Sequence, residues 1–122
     1  MKEAGGIVFG TPTYWDNVSS LLKTFLDRTV PLYYDESFKN KHFVGVAVGE
    51  AEVASQKLAI QAIKHYIKDY ERPSLKLIGF VVAKAKVPGE IKKQLKVLED
   101  CYKLGQKLTA SSPCFFPQIV RK

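Results

Sequence analysis

Three short apolar runs, each followed by a stretch with helical periodicity, mark out the chain. The runs cover residues 7–9, 42–48 and 75–83, and the two longer ones are apolar at nearly every position. Strands of this kind are typically buried on both faces in the middle of a parallel sheet. The repeated strand–helix order therefore predicts an α/β fold, in which a parallel sheet is the middle of three layers and the crossovers are right-handed.

Apolar positions spaced three and four residues apart predict the inward faces of three helices. The first helix is predicted to begin near Asp16 or Asn17 and to end before Pro31, the second to span about 51–71, and the last about 88–110. Residues 32–41 read as an irregular connection. The predicted inward residues are Val18, Leu21, Leu22, Phe25 and Leu26, then Ala59, Ile60, Ile63, Tyr66, Ile67 and Tyr70, and finally Ile91, Leu95, Leu98, Tyr102 and Leu108.

The segment after the first strand is the leading candidate for function. Gly10 and Pro12 predict the end of that strand, and a polar and aromatic loop over residues 11–17 then leads into the first helix. In open α/β sheets, ligands bind outside the carboxyl ends of the strands. This loop is therefore expected to lie where such a fold places its chemistry.

Composition favours a single domain over residues 1–122, since 46% of the residues are hydrophobic and the length suits one core. The net charge of +7 comes from lysines spread singly along the predicted helices, which argues for solvated faces rather than nucleic-acid binding. The positive charge is also compatible with binding of phosphate-bearing small molecules. No apolar run reaches the length of a membrane span, and residues 1–6 lack the hydrophobic segment of a signal peptide.

The few cysteines and histidines predict neither a metal site nor a catalytic residue. Cys101 and Cys114 have no CxxC spacing, so we expect a reducing, cytoplasmic location and no nucleophilic role for either. His42 and His65 have no serine or cysteine partner at a recognisable spacing. Nucleophile-elbow, phosphate-loop and zinc-protease motifs are absent from the sequence.

Residues 6–28, GIVFGTPTYWDNVSSLLKTFLDR, resemble the flavin-contacting segment of the NADPH-dependent FMN reductase family. In this branch of the flavodoxin-like fold, a strand runs into a G-[ST]-P-x-Y loop and then into a helix of the S-x-x-L-K-x-F-x-D-R type. The resemblance implies an oxidoreductase that binds FMN, takes electrons from NAD(P)H and passes them to a small-molecule acceptor such as a quinone, free flavin or an iron–sulfur centre.

The resemblance also assigns the cofactor contacts, because the family places this loop along the isoalloxazine ring of FMN. The residues concerned are Thr11, Pro12, Thr13, Tyr14, Trp15 and Asn17, with Gly49 in the loop after the second strand. From the residues alone, the alternative is that Tyr14 and Trp15 cover the core. At the end of the helix, Asp27 and Arg28 match the family motif, and a capping or subunit-contact role is expected for both.

The chain resembles only the C-terminal portion of the family's fold. Its three predicted strands correspond to the third, fourth and fifth strands of the flavodoxin scheme. We therefore expect this chain to lack the N-terminal βαβα portion and its phosphate-binding loop. Glu50 and Glu52 also replace a glycine-rich turn, which disfavours an anionic cofactor. The alternative function is a non-catalytic half-domain that oligomerises or docks to another chain and binds no flavin alone.

The first strand should then lie at a sheet edge, where unpaired amide groups form a template for pairing. This predicts a homo-oligomer, with a twofold dimer favoured because an isologous contact closes on itself. The edge would pair with its symmetry mate or be covered by the apolar residues 114–120, whose flanking prolines, Pro113 and Pro117, suit a covering role better than a ladder role.

Overall fold

Three parallel strands and the helices between them make up the fold, which the computed structural model describes for residues 3–34, 37, 39–69 and 76–111. In chain order the elements are β1 (Gly6–Tyr14), β2 (Asn17–Val18), α1 (Ser20–Arg28), α2 (Val30–Tyr34), β3 (His42–Gly49), α3 (Val53–Asp69), β4 (Lys76–Lys84), a 3₁₀ helix (Glu90–Lys93) and α4 (Leu95–Ser111). The predicted α/β order is confirmed.

The sheet has the order β2-β1-β3-β4, and its three long strands are parallel. Val44 of β3 lies opposite Val8 of β1, and Val46 lies opposite Val81 of β4. The predicted parallel order of the three strands is therefore confirmed. The two-residue strand β2 was not predicted, and it pairs antiparallel with Thr13 and Tyr14 at the end of β1.

Close packing at two glycines shows that helices cover both faces of the sheet. A Cβ added to Gly45 of β3 would lie 2.9 Å from the Cδ1 atom of Ile60 in α3. On the other face, a Cβ added to Gly79 of β4 would lie 2.8 Å from a methyl group of Leu104 in α4. The sheet is thus the middle of three layers, as predicted.

The main core lies between the sheet and α3. Phe9 of β1 stacks on Phe43 of β3 with ring centroids 5.3 Å apart, and the Tyr66 ring meets it edge-on. The predicted inward face of α3 is confirmed at the buried residues Ala59, Ile60, Ile63 and Ile67. Tyr70 lies outside the described residues.

The inward faces predicted for the first and last helices are partly wrong. Leu26 is buried, but the neighbouring Leu21 is 83% exposed. In α4, Leu95 and Tyr102 are largely exposed, and Leu104 is the side chain that packs on β4. Periodicity identifies the side of a helix that is apolar, but it cannot show how much of that side a neighbouring element covers.

Several predicted boundaries also need correction. Strand β1 continues through Gly10 and Pro12 to Tyr14, because proline is tolerated on an edge strand. Helix α1 starts at Ser20 rather than near residue 16, since the Ser19 hydroxyl caps it by accepting a hydrogen bond from the Leu22 amide.

The structure also differs from the boundaries predicted for the last helix and for the connection over residues 32–41. The last helix begins at Leu95 instead of residue 88, after the left-handed Gly89 and the 3₁₀ helix. Residues 32–41 were predicted to be an irregular connection, but they contain the end of α2. Pro31 lies in the first turn of this helix, where proline is tolerated. Residues 114–120, the predicted cover for the edge, lie outside the described residues.

Candidate functional site

A cleft of about 950 Å³ opens at the carboxyl ends of the three parallel strands. Ligands of open α/β sheets bind at this edge, and the volume is near the upper end of the usual range for small-molecule sites, about 300–1,000 Å³. Its lining consists of Pro12, Thr13, Tyr14 and Trp15, then Val48, Gly49, Glu50 and Ala51, and finally Ala85, Lys86, Val87, Pro88, Gly89 and Ile91.

The turn between β1 and β2 forms one wall of the cleft. Trp15 and Asp16, its two central residues, have φ angles of 49° and 60°, the left-handed pair of a type I′ hairpin turn. Glycine, asparagine and aspartate are the usual residues there, so the tryptophan carries backbone strain. Its side chain is 100% exposed and that of Tyr14 is 62% exposed, which shows that the core-covering alternative is wrong for both.

Of the seven predicted contact residues, five line the cleft and two support its wall. Thr11 is buried, and its hydroxyl donates to the Pro12 carbonyl over 2.7 Å while accepting from the Ser19 amide over 2.9 Å. The Asn17 side-chain oxygen accepts from the Val18 amide over 2.8 Å. Thr11 therefore holds β1 against the residue that caps α1, while the Asn17 side chain bonds within β2, and neither residue lines the cleft.

Thr13 and Gly49 form the floor of the cleft, and Gly49 packs closely against a buried glutamine that the sequence patterns did not indicate. A Cβ on Gly49 would lie 2.7 Å from the Nε2 atom of Gln56 and 3.2 Å from the Thr13 Cβ, so glycine permits this contact. Gln56 is fully buried, and its amide donates to the Ala51 carbonyl over 3.2 Å. The sequence does contain a signal for this glutamine. Residue 56 lies on the same face of the helix as the apolar residues Ala59, Ile60 and Ile63, although glutamine is polar.

Thr13 supplies an uncommitted polar atom at this floor. Its hydroxyl oxygen is buried and has no hydrogen-bond partner among the described residues. A buried polar group without a partner is costly, unless a ligand or water bonds to it. The Thr13 hydroxyl and the Gln56 Oε1 atom are thus two buried polar atoms without a partner among the described residues.

Charged side chains tie the loop after β3 to the end of β4. The Lys86 ammonium lies 2.9 Å from a Glu50 carboxylate oxygen, which raises the pKa of Lys86, and Glu52 pairs with Lys84. The Ala85 amide also donates to the Gly49 carbonyl over 2.9 Å. Each glutamate that was expected to disfavour an anionic cofactor is therefore accompanied by a lysine that offsets its charge.

The loop after β4 forms another wall of the cleft, and the sequence patterns did not indicate this loop as part of a site. The Glu90 carboxylate accepts hydrogen bonds from the Lys86 amide over 2.7 Å and the Val87 amide over 3.3 Å. These two bonds favour the charged carboxylate and lower the pKa of Glu90 below its ordinary value of 4.5. Glu90 therefore fixes the backbone that carries Lys86 and Val87 into the cleft.

Clusters of three or more His, Cys, Asp or Glu side chains able to hold a metal ion are absent from the described residues. Neither His42 nor His65 lines the cleft. Within the described ranges, no helix is long and apolar enough to cross a membrane. The described groups that the cleft presents to a ligand are thus aromatic rings, aliphatic side chains, backbone groups and one lysine–glutamate pair.

Comparison with known proteins gives sequence matches of different extent. The pattern of the family described as NADPH-dependent FMN reductase matches residues 1–85. An iron-sulfur flavoprotein of Methanocaldococcus jannaschii is 35% identical over 115 residues, which cover 88% of this chain and 58% of that protein. One from Archaeoglobus fulgidus is 41% identical over 66 residues, covering 52% of this chain and 33% of that protein. The chain therefore spans between one third and three fifths of these relatives.

Two solved structures share the fold. The Trp repressor binding protein from Bacillus subtilis superposes with a TM-score of 0.75 at 23% identity, over 84% of this chain and 66% of that one. A flavodoxin, WrbA-like protein from Agrobacterium tumefaciens gives a TM-score of 0.64 at 18% identity, over 87% and 69%. At these identities the likeness establishes a flavodoxin-like α/β fold and nothing more specific.

Proposed function

Because the chain belongs to the NADPH-dependent FMN reductase family, we propose that its cleft binds the isoalloxazine ring of FMN in an NAD(P)H-dependent oxidoreductase. The single observation that carries this proposal is the aromatic wall. Tyr14 and Trp15 stand exposed at the lip of a cleft of suitable size, and Trp15 does so on a strained backbone. Such strain clusters at ligand sites, where the surrounding structure maintains it.

The residues present fit a flavin ring. Tyr14 and Trp15 can pack on its face, since offset stacking suits two extended aromatic systems. The apolar side chains of Pro12, Val48, Val87 and Ile91 can exclude water from the rest of it.

The bound flavin would supply the redox chemistry, taking a hydride from NAD(P)H and passing electrons to a second acceptor such as a quinone, free flavin or an iron–sulfur centre. The chain's own contribution is binding and orientation. Thr11 ties β1 to the residue that caps α1, while Gln56 holds the loop that bears Glu50. We assign this function to the cytoplasm, with the low cysteine content as support.

The proposal is tested by titrating the purified chain with FMN and following flavin fluorescence and absorbance between about 350 and 500 nm. Replacing Tyr14 and Trp15 by alanine removes both stacking rings, each worth about 0.5–1.5 kcal/mol, and should weaken FMN binding about 10- to 100-fold. Tyr102→Ala is the matched control, because Tyr102 is an exposed aromatic on α4 outside the cleft. Equal FMN affinity in the double variant, with unchanged circular dichroism, would refute the assignment.

We further propose that the chain forms a twofold dimer through the outer edge of β1. Strand β2 occupies this edge only at Thr13 and Tyr14, and no described residue pairs with it over residues 6–12. Val8, on the face of β1 turned away from α3, is 56% exposed. An unpaired edge beside an apolar face is a template for a second strand. The same edge supports the alternative function, a docking module, should the chain bind no FMN.

A further inference from the structure

Lys86 and Glu50 are the only lysine and the only carboxylate among the described residues that line the cleft. Their charged groups lie 2.9 Å apart, with the side chains 72% and 65% exposed. The remaining lining residues carry no charged side chain. Lys86 and Glu50 are therefore the described charged residues that border the space in which a ring would bind.

Hydrogen bonds fix the backbone around Lys86 and Glu50, but the ammonium and carboxylate groups of the two side chains are exposed. The Lys86 amide is bonded to the Glu90 carboxylate, and the Ala85 amide to the Gly49 carbonyl. These bonds hold Lys86 beside the residue that precedes Glu50. An exposed ion pair, by contrast, contributes little net stability, because water screens it and both side chains lose conformational freedom. The ammonium can therefore leave Glu50 for another negative group at small cost.

We propose that Lys86 is an exchangeable cation that turns from Glu50 to the negative charge on the reduced flavin, and thereby favours the reduced state. This inference rests on the proposed flavin site. Reduction places negative charge on the pyrimidine part of the ring, and charge near that part is one of the means by which a protein tunes a flavin. Lys86 attracts this charge and Glu50 opposes it, so the two residues set the reduction potential in opposite directions.

The test is the reduction potential of FMN bound to the whole chain, measured anaerobically with dithionite as the two-electron reductant and a reference dye. Lys86→Met should lower the ratio of reduced to oxidised FMN affinity about threefold, which corresponds to about 14 mV for a two-electron couple. Glu50→Gln should raise the ratio by a similar factor. The double variant should return towards the wild-type value, since both charges are then gone.

Lys103→Met is the matched control, because Lys103 forms a comparable exposed pair with Glu99 on α4, outside the cleft. It should leave the potential unchanged, and the shift at Lys86 should shrink as salt is added. Bound FMN whose potential does not respond to Lys86→Met would overturn this inference alone. Failure of the wild-type chain to bind FMN in either redox state would overturn the flavin site and this inference with it.

Discussion

Two adjacent residues at the tip of the β1–β2 hairpin have left-handed backbone angles, and neither is glycine. Aspartate accepts this conformation more readily than tryptophan, whose bulky side chain makes it costly. The exposed Trp15 ring gains no packing within the described part of the chain that could repay the strain. At the scale of single residues, Trp15 is therefore an exposed residue on a strained backbone, and the proposed flavin contact gives this position a role.

Trp15→Asn should separate this strain from function. Asparagine tolerates the left-handed region, and no described packing is lost, so the free energy of unfolding should rise by about 0.5–1 kcal/mol. Urea denaturation of the flavin-free chain measures that gain, and FMN titration of the same sample should show weaker binding. Tyr102→Asn, an exposed aromatic in ordinary helix α4, should show no stability gain. A variant less stable than wild type would mean that Trp15 is not strained.

At the scale of elements, the loop between β4 and α4 shows how one carboxylate can organise a wall of the cleft. Glu90, in the first turn of the 3₁₀ helix, accepts from two successive amides in the loop that precedes it. Gln94 adds a bond from its side-chain amide to the Lys84 carbonyl over 2.7 Å. The 3₁₀ helix and the residue after it thus tie the end of β4 and the loop that follows it to the start of α4.

These bonds predict a pH dependence of stability with a definite sign. The pKa of Glu90 is lower in the folded chain than its ordinary 4.5, chiefly because of the Lys86 and Val87 amides. Its stabilising effect is therefore fully present above the unfolded-state pKa and is lost as the pH falls through the lower folded-state pKa. Comparing thermal midpoints between about pH 6 and pH 3, wild type should lose more stability than Glu90→Gln. Parallel pH profiles for the two chains would contradict this.

At the scale of the whole molecule, burial is unevenly distributed between the two faces of the sheet. Helix α3 and part of α1 enclose the aromatic and aliphatic core on one face. On the other face α4 packs on β4, and Val8 on β1 stays exposed. The outer edge and one face of β1 are therefore available together, which is what a strand-to-strand dimer contact requires.

Sedimentation of the purified chain tests the proposed dimer. Wild type should sediment as a dimer at micromolar concentration, and Val8→Lys should shift it towards monomer, since a lysine beside a sheet edge discourages pairing. Leu95→Lys places the same charge at an exposed leucine on α4, which packs on β4 at the opposite end of the sheet, and should leave the dimer intact. A wild-type chain that is monomeric at this concentration would show that the edge does not pair.

Much of the fold could be predicted from the sequence because the relevant signals are local. The near-continuous apolar runs of β3 and β4 identify buried strands, and the stripe through Ile60, Ile63 and Ile67 identifies the face of α3 that packs on them. Five of the seven residues assigned by resemblance line the cleft. Parallel strands bring their carboxyl ends to one edge, so the general position of the cleft also followed from the order of elements.

The amino-acid sequence by itself determined the order of strands and helices, the parallel sheet and the edge at which the cleft opens, since these follow from periodicity and chain connectivity. Only the tertiary structure decided that β1 continues past Pro12 into a strained hairpin, that Gln56 supports the floor, and that Glu50 meets Lys86. These contacts join residues that are far apart in the chain. Local pattern does not encode such contacts, because they depend on register, on the depth of packing and on which edges find partners.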